Sequence, residues 1–205
     1  MPSDPRLRAL RDELSTADST LEQGVLDRKV THKGRYLTVE RIAARLPTGE
    51  RVTRDVVVHP GAVVIAPLDS SGRLLLVAQY RLPAGGTLLE LPAGTLDEHE
   101  GQVEDPLAAA HRELEEETGF RAGSMERLGG FWSAPGFSTE YLTLYLATDL
   151  REAAENRLAP DLDEDLSLVV LPLEDAIAAI EAGLIEDAKS IAGILLVARR
   201  MNLGG

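Results

Sequence analysis

A chain of 205 residues, 44% apolar and without cysteine, is long enough to bury one sizeable core and excludes disulfides, thiolate metal sites and cysteine nucleophiles. Its formal charge of −13 argues against a nucleic-acid backbone as partner, because that contact needs a basic patch, and leaves small phosphorylated ligands open. There is no apolar run of membrane-spanning length, and the charged N-terminus lacks the apolar core of a secretory signal, so the expectation is a soluble, cytoplasmic protein with no membrane partner.

In chain order, residues 5–22 carry a weak helical pattern, followed by short β-branched runs at Lys29–Thr31, Tyr36–Arg45 and Arg51–His59. LPTGE, with Pro47 and Gly49, reads as a hairpin turn between the last two. This predicts an N-terminal helix and β extension over 1–58 and a main domain over 59–205. AVVIAPL and LLLVAQYR, separated by DSSGR, suggest two strands of a buried sheet. Asp105 as N-cap, Pro106 in the first turn and Gly119 as the left-handed stop predict a helix over Pro106–Thr118. FWSAPGFSTE reads as a loop, EYLTLYLAT as a strand, DLDED as an acidic loop and LSLVVLPL as a strand closed by Pro172. Helices near Leu173–Ala182 and Ala188–Met201 finish the chain. The expected class is α/β in the α+β sense, a mixed sheet sandwiched between helices.

The Pro106–Thr118 helix is unusual in its charge. At about 100° per residue, Glu113, Glu116 and Glu117 share one arc, beside an apolar side formed by Leu107, Ala110 and Leu114. Like charges at these spacings, near the helix C-terminus, destabilise a helix by a few tenths of a kcal/mol per pair. A hard cation such as Mg²⁺ or Mn²⁺ would offset that cost; a plain solvated acidic face is the competing reading.

GTLDEHEGQVEDPLAAAHRELEEETGF resembles the signature of the Nudix hydrolases: a glycine, a distant glutamate, then RELxEExG and an apolar residue. Gly94 would open it, Glu104 would be the first glutamate, and Arg112, Glu113, Leu114, Glu116, Glu117, Gly119 and Phe120 the remaining positions. The interval from Gly94 to Glu104 is four residues longer than the family's, and Glu100 is a rival for the first glutamate. The resemblance implies the Nudix fold. It also implies metal ligation by Glu113, Glu116, Glu117 and the Ala93 carbonyl, with Arg112 bracing the first glutamate, and attack of water on a diphosphate without a protein nucleophile.

RDVVVHPGAVVI, VAQYR, LLELPAG, FWSAPGFSTE, DEDLSLVVLPLEDA and DAKSIAGILLVA further resemble the ADP-ribose pyrophosphatase subgroup, over most of residues 25–201, with Pro135 at the position of a subgroup proline. Hydrolysis of ADP-ribose to AMP and ribose 5-phosphate is the implied reaction, with Mg²⁺ as cofactor and Mn²⁺ as substitute. The competing readings are another nucleoside diphosphate derivative such as GDP-mannose, or a non-catalytic nucleotide-ligand sensor. Arg54, Arg81, Gly94 and Glu140 are implied at the substrate, although either arginine could be an ordinary surface cation. Glu164 is the implied general base, with Asp163 and Asp165 as neighbours and Glu116 as fallback. Ser133 and Ser138 lack a recognisable histidine and aspartate arrangement, His59 reads as structural, and Trp132 and Tyr80 suit either packing or stacking. The subgroup's exchanged β extension implies a homodimer, and unpaired strand edges before His59 give a physical reason for one.

Overall fold

The computed structural model describes residues 4–21, 24–34, 37–153 and 166–202. The chain divides into two compact units, Met1–His59 with Gly136–Thr139, and Pro60–Pro135 with Glu140–Gly205. The first unit contains helix α1 (Pro5–Leu21) and strands β1 (Gly24–Lys33), β2 (Thr38–Arg45) and β3 (Arg51–Val58), joined as an antiparallel sheet in that order. LPTGE makes the expected turn: the Leu46 N–H donates to the Glu50 carbonyl at 2.8 Å, and Gly49 takes φ 90°. Strand β1 runs well beyond the Lys29–Thr31 read from sequence, because its register against β2 extends from Gly24↔Arg45 to Lys33↔Thr38. Cross-strand pairing thus extends a segment whose own β signal is short. Every residue of β1 is exposed, Val25, Leu26 and Val30 among them.

The second unit contains β4 (Ala62–Pro67), β5 (Arg73–Arg81), β6 (Gly86–Glu90), β7 (Ala93–Thr95), β8 (Glu98–His99), β9 (Gln102–Val103), α2 (Pro106–Thr118), β10 (Phe120–Trp132), β11 (Tyr141–Glu152), β12 (Leu166–Pro172), α3 (Leu173–Glu181) and α4 (Ala188–Asn202). One sheet has the order β10-β11-β4-β7, with β11 and β4 parallel and the other pairs antiparallel; β12-β5-β6 form a second, antiparallel sheet. Strand β4 is buried at every position, and its two-residue period divides the core. Val63 and Ile65 pack with Ala109, Ala110 and Leu114 of α2. Ala62, Val64 and Ala66 face the opposite way, into a cluster with Leu74 and Leu76 of β5 and Ile194 and Val197 of α4. Each fully buried Val, Leu or Ile contributes about 1.5–3 kcal/mol, so both faces hold this sheet between helices. The mixed α/β class follows from that layering.

Strand β10 is absent from the sequence reading, because FRAGSMERLGGFW contains three glycines and little alternation. Its pairing with β11 from Phe120↔Glu152 to Trp132↔Tyr141 creates it. At Gly130 a Cβ would lie 2.6 Å from the Tyr141 hydroxyl and 2.7 Å from the Leu142 carbonyl, so the glycine that weakens the local pattern permits the close approach. No helix among the described residues is long and apolar enough to cross a membrane.

Candidate active site

Helix α2 spans the residues its end signals predict. The Asp105 carboxylate accepts from the Leu107 and Ala108 N–H groups, both at 3.1 Å, and Gly119 closes the helix at φ 75° with its N–H on the Glu115 carbonyl at 2.9 Å. Its buried side is Ala109, Ala110 and Leu114; Leu107, expected there, is 42% exposed. Leu107 lies in the first turn, and Ala109 takes the inward place.

The neighbouring arc carries the acids. Glu113 and Glu117 are each only 8% exposed, close to the core, as is Glu115. Glu115 serves a different partner, taking both Nε and Nη2 of Arg121 at 2.7 and 2.6 Å. Arg112 is the centre of the remaining group. Its Nη1 donates to Glu113 and to Glu116, each at 2.8 Å, and its Nε and Nη2 donate to the two oxygens of Glu104 at 3.2 and 2.9 Å. The Glu104 hydrogen bond, then the charge of Glu113 and the bond to Glu116, hold the guanidinium far above its ordinary pKa. Arg112 in turn, with the Asp97 N–H, holds Glu104 below the usual carboxylate range.

Of the rivals Glu100 and Glu104, it is Glu104 that the loop brings to Arg112. The Glu104 N–H donates to the Asp97 carbonyl at 2.8 Å, and the Asp97 N–H returns a 3.3 Å bond to the Glu104 carboxylate. Between these closing bonds, β8 and β9 form a minimal hairpin turning at Glu100 (φ 54°) and Gly101 (φ 78°). The extra length is thus folded outward as its own hairpin, leaving Glu104 on Arg112 and Glu100 exposed at the tip.

Strand β7 lies beside the acids. The Ala93 N–H donates to Glu117 at 3.1 Å, and a Cβ on Gly94 would overlap the carboxyl carbon and both oxygens of Glu113. Glycine is therefore what lets Glu113 lie against the strand. Among the described residues no three acidic or imidazole side chains are gathered as ligands of one ion; Glu104, Glu113 and Glu116 are instead in ion pairs with Arg112. The donor set nonetheless fits a hard divalent cation: the groups are carboxylates, and one guanidinium faces three of them.

Strand β7 also borders a pocket of about 490 Å³, lined among others by Arg81, Ala93, Gly94, Trp132, Glu140 and Lys189. Four residues expected at substrate or metal thus border one cavity: Arg81, Ala93, Gly94 and Glu140. Trp132 also lines it, 55% exposed and braced edge-on by Tyr141 at 5.2 Å between ring centres. Ser133 is part of the wall, with no histidine beside it among the described lining residues. Arg54 belongs to the first unit, on β3, exposed, with its Nη1 on the Thr53 carbonyl at 3.0 Å. Glu164, Asp163 and Asp165 lie outside the described residues.

Two lining residues of this pocket, Asp187 and Lys189, and the buried Glu90 that contacts its lining cations, were not singled out from sequence. Glu90 is 1% exposed, yet it receives Nε and Nη2 of Arg81 at 2.8 and 2.9 Å and also the Lys189 ammonium. A lone acid in the apolar run LLELP is the signal that could have found it, since a charge in such a setting needs a partner.

The helix thus carries carboxylates tied to one arginine, beside a strand that borders a pocket lined by Arg81 and Lys189 together with Glu140 and Asp187. The chain belongs to the Nudix family: the model of the NUDIX domain matches residues 58–193. Members of this family depend on divalent metal. An ADP-ribose pyrophosphatase of Mycobacterium tuberculosis (strain ATCC 25618 / H37Rv) is 40% identical over 166 residues, covering 81% of this chain and 78% of that one. An ADP-ribose pyrophosphatase of Bacillus subtilis (strain 168) is 34% identical over 173 residues, 83% of this chain and 90% of that one. A methanol dehydrogenase activator of Bacillus methanolicus is 35% identical over 173 residues, 84% and 91%. The solved structure of an ADP compounds hydrolase superposes with a TM-score of 0.76 at 24% identity, covering 89% of this chain and 96% of that one, and shares the fold.

Proposed function

We propose that this protein hydrolyses the diphosphate of ADP-ribose to AMP and ribose 5-phosphate, with Mg²⁺ as cofactor and Mn²⁺ as substitute. The observation that carries the reading is the group Glu104, Arg112, Glu113 and Glu116 against β7, whose Gly94 meets Glu113 and also borders the pocket that Arg81 and Lys189 line. Glu113, Glu116, Glu117 and the Ala93 carbonyl would hold the metal. A divalent cation held there supplies positive charge against the diphosphate and makes its phosphorus susceptible to water.

The chain's own residues do the rest. Arg112 keeps Glu113 and Glu116 in place and anchors them to Glu104. Gly94 gives Glu113 room, Arg81 binds diphosphate oxygens, Glu140 contacts the ribosyl part, and Trp132 offers a face for the adenine. Glu164 accepts the proton of the attacking water, with Glu116 as the alternative base. Two relatives named ADP-ribose pyrophosphatase cover 81% and 83% of the chain, whereas a GDP-mannose pyrophosphatase covers 64%, so GDP-mannose is the weaker substrate reading. The N-terminal extension, residues 1–58 with the exposed β1, is the expected dimerisation element and the source of Arg54 for the site; light scattering on the full chain tests the dimer.

Product chromatography after incubation with ADP-ribose, GDP-mannose and a nucleoside triphosphate, each with Mg²⁺ or with chelator, tests the activity. Metal-dependent AMP from ADP-ribose is expected, and Glu117→Gln should abolish most of it while unfolding like the parent. Full turnover in that variant at saturating Mg²⁺ would remove Glu117 from the metal site.

A further inference from the structure

The register of β5 on β6 runs from Val77↔Glu90 to Arg81↔Gly86, which puts residues 77, 79 and 81 on the same face as 90, 88 and 86. Gly86 opposite Arg81 offers no side chain, and Arg81 reaches back along this face to take both oxygens of Glu90. From the other direction, the first turn of α4 delivers Lys189 to the same carboxylate. That turn is fixed by a chain of bonds: the Leu91 N–H donates to Ser190 Oγ at 2.7 Å, and Ser190 Oγ and N–H donate to Asp187, which also takes the Lys189 ammonium at 3.0 Å. Two cations from distant parts of the sequence thus meet on one buried acid, and both line the pocket.

We infer that Glu90 is a positioning residue that holds Arg81 and Lys189 side by side as a paired cationic seat for the diphosphate of the substrate. Adjacent cations repel and, left alone, spread into solvent; a shared carboxylate with 2% side-chain exposure keeps them together. Burial works to raise the Glu90 pKa, but Arg81 and Lys189 outweigh it and keep the group ionised. Nε and Nη2 of Arg81 are spent on Glu90, while Nη1 makes no hydrogen bond among the described residues and is the donor left for a phosphate oxygen. Glu90 and Asp187 together balance the two cationic charges, so what the seat offers a phosphate is directed N–H donors rather than net positive charge.

This inference rests on the proposed phosphate-ester chemistry, and its test separates the two. Trp132, the only tryptophan, lines the pocket, so its fluorescence follows binding of ADP as a probe. Glu90→Gln should weaken ADP binding and raise KM for ADP-ribose by about tenfold or more with kcat within about threefold, the pattern of lost binding rather than lost chemistry. Arg81→Lys should weaken binding in the parent but add less than about threefold in the Glu90→Gln background, since both act through one seat. Glu90→Asp retains the charge but shortens the reach; should Glu90→Gln not fold, the same KM effect is expected from it. Parental ADP affinity and KM in a folded Glu90 variant, or effects of Arg81 and Glu90 that multiply independently, overturn the seat. Absence of ADP-ribose turnover in the parent with Glu90-dependent ADP binding intact overturns the substrate reading and leaves the seat standing.

Discussion

Replacing Gly94 with alanine separates the site from the fold. The added Cβ would occupy space held by the Glu113 carboxyl group, whose three terminal atoms all lie inside normal contact distance. The flexible glutamate end yields more easily than two paired strands, since Gly94 is in register with Val63 of the buried β4. Restoring van der Waals contact moves the carboxylate by more than about 1 Å, enough to break its 2.8 Å bond to Arg112 Nη1. A displacement of that size in a catalytic constellation costs on the order of 10²-fold in rate. Gly94→Ala should therefore lose about two orders of magnitude in kcat/KM for ADP-ribose and need more Mg²⁺ for half-maximal rate, while its thermal unfolding shifts little. Parental rate and Mg²⁺ dependence would refute the assignment of Glu113 as a ligand held against β7.

Glu104→Gln should lower activity strongly, because Arg112 loses its charged anchor, whereas Glu100→Gln at the hairpin tip should leave rates unchanged; equal effects in steady-state assays would return the first-glutamate role to the loop as a whole. Asp105→Ala removes the two N-cap bonds of α2 and should cost about 1 kcal/mol in chemical denaturation. Acid stability follows from Glu90 and Glu104, both held below their ordinary value of 4.5. Their contribution is fully present above the unfolded-state pKa and is lost as pH falls through the lower folded-state values, so melting temperature should fall below about pH 4.5. The fall should be shallower in Glu104→Gln than in the parent; identical slopes would exclude a part for that ion pair.

What the sequence determined by itself lies mainly within the Nudix signature. Helix α2 was legible at both ends because its stop signals are local: a side chain at Asp105 and a positive φ at Gly119 act within one turn. The acidic arc of Glu113, Glu116 and Glu117 followed from helical period alone. Tertiary structure decided the rest. Only pairing with β11 makes a strand of the glycine-containing β10, and only the bonds between Asp97 and Glu104 show that the longer loop folds out as a hairpin. Leu107 fits the apolar stripe by spacing yet stands exposed, since spacing does not say how far along the helix the sheet reaches. Glu90 and Lys189 are 99 positions apart, and no local pattern relates them. A strand register brings Arg81 and a helix N-terminus brings Lys189 to the one Glu90 carboxylate, because a buried charge is stable only where the fold supplies its partners.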